Sequence, residues 1–231
     1  AFSKKTRRRV VGVDSNGLMP IYAPERTFFR AYDYRRFVQK NVERFFLERP
    51  KKQPYQNDKL NRQATDLTSI YERWEILPLP TKDRLHAFLD GIPYLHQIPS
   101  GAYTGGRQAA LYKLRNFLTN HLEHYHEKRN DAEQEGTSFL SPYLHFGHIS
   151  PHEIFWKIVE DKNWSPHLLS AKRGGQREGF WGLDPGTEAF LDQLVVWREL
   201  GFNTCANNPE FDSFSSLPQW AQQTLLDHSS D

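Results

Sequence analysis

Leu111, Leu114, Leu118, Leu122 and Tyr125 follow one another at steps of three and four. That spacing draws one apolar stripe along a helix and cannot serve a strand, whose side chains alternate with a period of two. The chain must therefore build its core by packing helices, and the rest of the sequence agrees. Aromatic and aliphatic residues recur at helical spacing across residues 25–48 (Phe29, Tyr32, Phe37, Val38, Val42, Phe45, Phe46) until Pro50 and a polar run break the pattern. Thr81, after Pro78 and Pro80, is a plausible N-cap for a helix through Leu85, Phe88 and Leu89 that stops at Gly91. Residues 92–104 read as a loop. Ser141 with Pro142 opens a short helix closed by Gly147, and Ser150, Pro151 and Glu153 form a capping box with proline at the first helical position. From Asp184 and Pro185 a long helix runs through Phe190, Leu191, Leu194, Val195 and Trp197, and one more helix is expected near residues 220–226.

The exception is RVVGVD (residues 9–14), a β-branched run closed by Ser15, Asn16 and Gly17 that reads as one strand. A lone strand cannot satisfy its own backbone, so it is expected to be the remnant of a sheet in a preceding domain. The expected fold is mainly α, divided into the end of an N-terminal α/β domain (residues 1–24), a connector of helix plus linker (25–79) and a helical domain (80–231).

Composition excludes several classes. Cys205 is the only cysteine, so there is no internal disulfide, thiolate zinc cluster or iron–sulfur site, which fits a reducing compartment. No apolar run approaches the roughly 20 residues of a spanning helix, and the basic N-terminus is unlike a signal peptide. A monomeric, cytoplasmic protein without membrane partners is expected. A net charge of +2 decides nothing about nucleic acid, because clustering matters more than totals. Aromatic residues make up 14%, enough either to build a helical core or to stack flat ligands.

The sharpest chemical cluster is GTSFLSP (residues 136–142), where Thr137, Ser138 and Ser141 gather at a helix start. Capping accounts for Ser141 alone; phosphate binding by hydroxyls and free backbone N–H groups accounts for all of them, with Tyr125 placed to turn its hydroxyl toward the same spot. His145, His148 and His152 invite a metal, but no carboxylate or thiolate completes a ligand set, and none is expected. KRGGQR (residues 172–177) reads as a flexible basic loop, suited either to a DNA backbone or to solvent. Arg7, Arg8 and Arg9 serve to keep the adjoining strand edge soluble.

YHEKRN (residues 125–130) followed by GTSFLSPYLHFGHISP (136–151) resembles the FAD-binding region of the photolyase and cryptochrome family. Gly105 and Gly106 with Ala109, Leu114 and Phe117 on one side, and FLDQLVVWREL (190–200) on the other, extend the resemblance over residues 80–205, with a lean toward the class II branch. It implies an FAD site formed by Tyr125, Thr137, Ser138, Leu140 (through its backbone N–H), Ser141 and Arg198. It also implies contacts to damaged DNA from Gln193, Trp197, Arg129, Lys172 and Arg173. No side chain is expected to be catalytic, because the reacting electron comes from the cofactor.

The implied activity is light-driven repair of cyclobutane pyrimidine dimers, a carbon–carbon lyase reaction. The alternatives are a cryptochrome-like blue-light photoreceptor and a non-enzymatic DNA-binding helical domain. Gln193 stands where most members carry a glutamate, with a spacing to Trp197 uncertain by one residue; glutamine can donate a hydrogen bond but not a proton. Trp197 either stacks on a flipped pyrimidine or fills core, and Arg198 reaches either phosphate or a surface carboxylate. The stretch after residue 207 lacks the family's isoalloxazine-holding residues. The chain is therefore expected to be truncated, to hold FAD weakly if at all, and to be inactive alone, any antenna chromophore belonging to a missing N-terminal domain.

Overall fold

A computed structural model describes residues 9–51, 66–74, 81–92, 101 and 103–229. The chain divides into two compact units, Ala1–Pro50 with Gly105–Asp231, and Lys51–Thr104. In the smaller unit lie α2 (Thr68–Arg73) and α3 (Leu85–Asp90). Thr81 does not cap α3 directly: its carbonyl accepts the Arg84 N–H at 3.0 Å, closing a 3₁₀ turn over Lys82–Arg84 before the helix begins. Pro78 and Pro80, and most of the loop expected over residues 92–104, fall outside the described residues, as do Arg7 and Arg8.

The larger unit is helical, as the periodicity predicts. It contains α1 (Ala31–Phe45), α4 (Arg107–Asn120), α5 (Tyr125–Lys128), α6 (Ser141–His145), α7 (Pro151–Asp161), α8 (Pro185–Leu191), a π-helical segment (Asp192–Trp197), α9 (Arg198–Asn207) and α10 (Gln219–Asp227). The strand expected over residues 9–14 does not form. Val10, Val11 and Val13 stand exposed, and no partner strand exists among the described residues to take up their backbone groups.

Two more boundaries differ from the sequence pattern, each for a local reason. α1 starts at Ala31 and not near residue 25, because the preceding backbone is claimed elsewhere: Asn203 of α9 accepts the Phe28 N–H at 2.8 Å and donates to the Arg26 carbonyl at 2.9 Å. Phe29 and Tyr32 are consequently exposed, and the buried face is Tyr34, Val38 and Val42 interleaved with Arg35 and Gln39. The leucine stripe of α4 breaks at His121 (φ −130°), so that Leu122 and Tyr125 are buried beyond the helix end and Tyr125 opens a separate turn. Gly186 of α8 packs against the Leu122 and Glu123 carbonyls at this break, where a methyl group would collide. The contact seats Tyr125: its ring meets Phe190 at 5.3 Å and Phe117 at 5.7 Å, both edge-on, and Phe117 lies 4.7 Å from Phe190.

Caps form where the sequence places them, with one variation. Ser150 Oγ accepts the Glu153 N–H at 3.0 Å, but the Glu153 carboxylate forks onto Arg107 (2.7 and 2.8 Å) and leaves the capping box half made. Asp184 caps α8 through the Thr187 N–H at 2.9 Å and hydroxyl at 2.8 Å. Gly147, at φ +67°, ends α6.

Candidate functional site

The segment over residues 136–141 is fixed from both sides. Gly136 lies so close to the Lys128 carbonyl that a side chain could not be placed there, which brings the turn against the end of α5. Phe139 takes φ +53°, in the left-handed region, with Lys113 Nζ 5.4 Å from its ring. The reversal buries the Leu140 side chain and turns the Leu140 N–H back to Ser138 Oγ at 3.3 Å. Ser141 is not the cap expected of it. The N-cap position of α6 is Leu140, with no side-chain cap, and Ser141 is the first helical residue, exposed like Thr137. The turn therefore offers three hydroxyls, two exposed and one half-buried.

Tyr125 opens α5, the helix whose end the turn meets at Lys128; it is buried, and burial raises its phenol pKa against the opposing charge and hydrogen bond of Arg129. The Arg129 guanidinium lies 5.8 Å from the Tyr125 ring, and its buried Nε has no hydrogen-bond partner among the described residues.

Along the α8–α9 helix the segment between Gln193 and Trp197 is π-helical, the Arg198 N–H bonding five residues back to the Gln193 carbonyl. Gln193 is half-buried, while Trp197 keeps 46% of its surface exposed, so its ring does not fill the core. Arg198 turns to Glu199 (3.2 Å) and over the Phe202 ring (4.7 Å).

The basic loop is not the free loop its glycines suggest. Arg173 pairs with Glu43 at 2.5 Å, Gly174 N–H donates to Gln176 Oε1 at 3.0 Å, and Gln39 of α1 holds Gly175 and Gln176. Lys172 remains exposed. Of the histidines, His148 Nδ1 accepts the Gly106 N–H at 3.1 Å and His145 meets Phe146 edge-on. His152 is held below its ordinary pKa by burial, the Gly17 carbonyl and Asp14 opposing. Among the described residues no three potential metal ligands converge.

Several buried polar residues escape sequence reading. Glu188 accepts the N–H groups of Phe180, Trp181 and Leu183 (3.0–3.2 Å) and so shapes the end of the glycine-rich loop. Arg35 and Asp192 form a buried fork. Glu199, only 2% exposed, accepts the Leu18 N–H at 2.9 Å, and burial pushes its carboxyl up to about 7 although the backbone N–H groups of Leu18 and Met19 and the Arg198 charge oppose the shift. The one available signal was the placing of charged and amide residues inside otherwise apolar helical runs, as with Arg35 and Gln39 four apart in an aromatic helix.

No family model matches the chain. Its sequence is similar to that of the deoxyribodipyrimidine photo-lyase of Oryza sativa subsp. japonica, with 36% identity over 131 residues, covering 54% of this chain and 22% of that protein. The deoxyribodipyrimidine photo-lyase of Methanothermobacter thermautotrophicus is 35% identical over 129 residues, covering 56% of this chain and 24% of the relative. That of Arabidopsis thaliana is 33% identical over 116 residues, 50% of this chain and 20% of the relative. The chain thus spans less than a quarter of the length of these curated relatives. Over about half of the chain, the photolyase resemblance read from its residues is borne out.

Proposed function

We propose that this chain is part of a deoxyribodipyrimidine photo-lyase, contributing the segment that grips the diphosphate of FAD and one wall of the site for damaged DNA. The observation that carries the reading is the turn at residues 136–141. Three hydroxyls and the backbone around Leu140 gather on one reversal packed against the end of α5, in a chain whose sequence relatives bear that name. The donor set suits such a ligand. A diphosphate held by neutral hydroxyl and amide donors needs no adjoining cation, and no lysine or arginine occurs between Gly136 and Ser150. α6 has five residues, so discrete donors and not a helix dipole would carry the binding. Thr137, Ser138 and Ser141 would donate to phosphate oxygens. Leu140 would add its N–H once Ser138 Oγ releases it, with Tyr125 packing alongside. Arg198, already steered by Glu199, would approach the same end of the cofactor.

When bound and reduced, FAD supplies on illumination the electron that splits a cyclobutane pyrimidine dimer. The work of the chain's own residues is to hold and orient. The exposed face of Trp197 would stack on a flipped pyrimidine, as the favourable site for unstacking is the damaged one. Gln193 would donate to a pyrimidine carbonyl without supplying a proton. Arg129, Lys172 and Arg173 would lie along the DNA backbone, Arg173 while tied to Glu43. The exposure of Trp197 favours this repair reading over a photoreceptor that needs no pyrimidine partner. No helix among the described residues is long and apolar enough to cross a membrane.

The direct test is a fluorescence titration of the chain with FAD, comparing it with the double variant Thr137→Val, Ser138→Ala. Loss of two neutral phosphate contacts at about 1–1.5 kcal/mol each should weaken binding by one to two orders of magnitude. Measurable binding by the wild-type chain that the double variant retains in full would remove the flavin assignment.

A further inference from the structure

The basic loop and the helix carrying Gln193 and Trp197 meet on a single buried ion pair. Arg35 Nε donates to Asp192 Oδ1 at 2.6 Å and Nη2 to Oδ2 at 3.0 Å, while Nη1 reaches the Gly175 carbonyl at 3.3 Å. Both residues are more than nine-tenths buried, at 7% and 4% exposure. One turn along α1, Gln39 Oε1 accepts the Gly175 N–H at 2.7 Å and its Nε2 donates to the Gln176 carbonyl at 2.8 Å. Arg177 Nε lies 3.8 Å from Asp192 Oδ2. α1 therefore grips the loop by its backbone and the helix by its carboxylate, using neighbouring side chains of one buried face.

Asp192 is also the first residue of the π-helical segment. A π turn bonds five residues back instead of four, and the extra residue rotates everything after it by about 100° relative to an uninterrupted α-helix. That rotation decides which way residue 197 faces. With it, Leu194, Val195 and Val196 are buried and Trp197 is exposed. A π segment is less favourable than α-helix and persists where its surroundings hold it, and the planar fork of Arg35 holds this one at its start.

We propose that Arg35 and Asp192 are a positioning pair, which fixes the direction of Trp197 and its placement relative to Lys172, so that aromatic ring and cation engage one damaged strand together. The claim about DNA rests on the photolyase reading above; the claim about the direction of Trp197 rests on the geometry alone.

The test uses the full chain labelled with 5-fluorotryptophan at its six tryptophans, the Trp197 resonance being assigned from Trp197→Phe. In Asp192→Asn the Trp197 resonance should move; Trp181, which lines the same cavity as Arg35 and Asp192, is expected to respond locally, and the remaining four should stay in place. Affinity for an oligonucleotide containing a cyclobutane dimer should fall at least tenfold, and affinity for the undamaged oligonucleotide less than threefold. Arg35→Lys, which keeps the charge but loses the fork, should move the same resonance and serves if Asp192→Asn does not fold. Gln39→Leu frees the loop and spares the pair, so it should leave the Trp197 resonance unmoved and weaken both oligonucleotides alike. The proposal is overturned if the pair variants leave the Trp197 resonance and dimer affinity within twofold of wild type, or if all six resonances shift together. A wild-type chain that shows no preference for the dimer would count against the photolyase reading, and the Trp197 resonance would still decide the positioning claim.

Discussion

The carboxylate of Glu199 lies beneath the backbone of residues 17–19, where Gly17 leaves just enough room for it and Leu18 donates to it. Asp14, Tyr34 and Asn203 line the same small cavity, and the charge of Glu199 adds to burial in holding the Tyr34 phenol far above its ordinary pKa. Burial raises Glu199 itself from an ordinary value of 4.5 to about 7, so between those two values the folded chain binds more of this proton than the unfolded chain does. Its contribution to stability is therefore complete below pH 4.5 and is lost as the pH climbs through 7, a change of roughly 3 kcal/mol. Urea midpoints measured from pH 4.5 to 8 should fall over that window in the wild type and run flatter in Glu199→Gln. Parallel curves for the two proteins would show that the carboxyl ionises freely in the fold.

α8 depends on its first turn. Asp184 satisfies two donors of Thr187, and Lys162 Nζ approaches the same carboxylate at 2.9 Å, which with the two Thr187 hydrogen bonds lowers its pKa against burial. Asp184→Ala should cost about 1 kcal/mol in chemical denaturation, a typical cap value, and a loss below about 0.3 kcal/mol would mean that solvent replaces the cap. Signals of this kind are legible in a sequence because donor and acceptor lie three residues apart: Ser150, Asp184 with Pro185, and Gly147 all act where their neighbours place them. The site is legible to the same depth. Thr137, Ser138 and Ser141 stand together in the chain, so their clustering is visible before any fold is known. The partners of Arg35, Glu199 and Asn203 lie 157, 181 and 175 positions away, and no local pattern carries that information. The π-helical segment is hidden for another reason: its apolar spacing differs from that of an α-helix by one residue, within the tolerance of any amphipathic pattern.

In the larger unit two stretches far apart in the chain build one core, with Leu18, Val42 and Phe46 joining Phe117, Phe155, Ile158 and Leu191. Deleting a ring from that core should be felt throughout it. Phe117→Ala, at a position 1% exposed and wedged between Tyr125 and Phe190, should cost about 3–5 kcal/mol. Phe88→Ser in α3 of the smaller unit, where the ring is 39% exposed, should leave the same calorimetric transition within about 0.5 kcal/mol. An equal shift from both substitutions would contradict the contrast between buried Phe117 and part-exposed Phe88. At the far end of that unit, α10 buries none of its residues, and Trp220, Leu225 and Leu226 present 73%, 54% and 58% of their surfaces to water. The consequence is colloidal: ammonium sulfate, by raising the cost of wetting those side chains, should salt the protein out early. Trp220→Lys should need measurably more salt to reach the same turbidity.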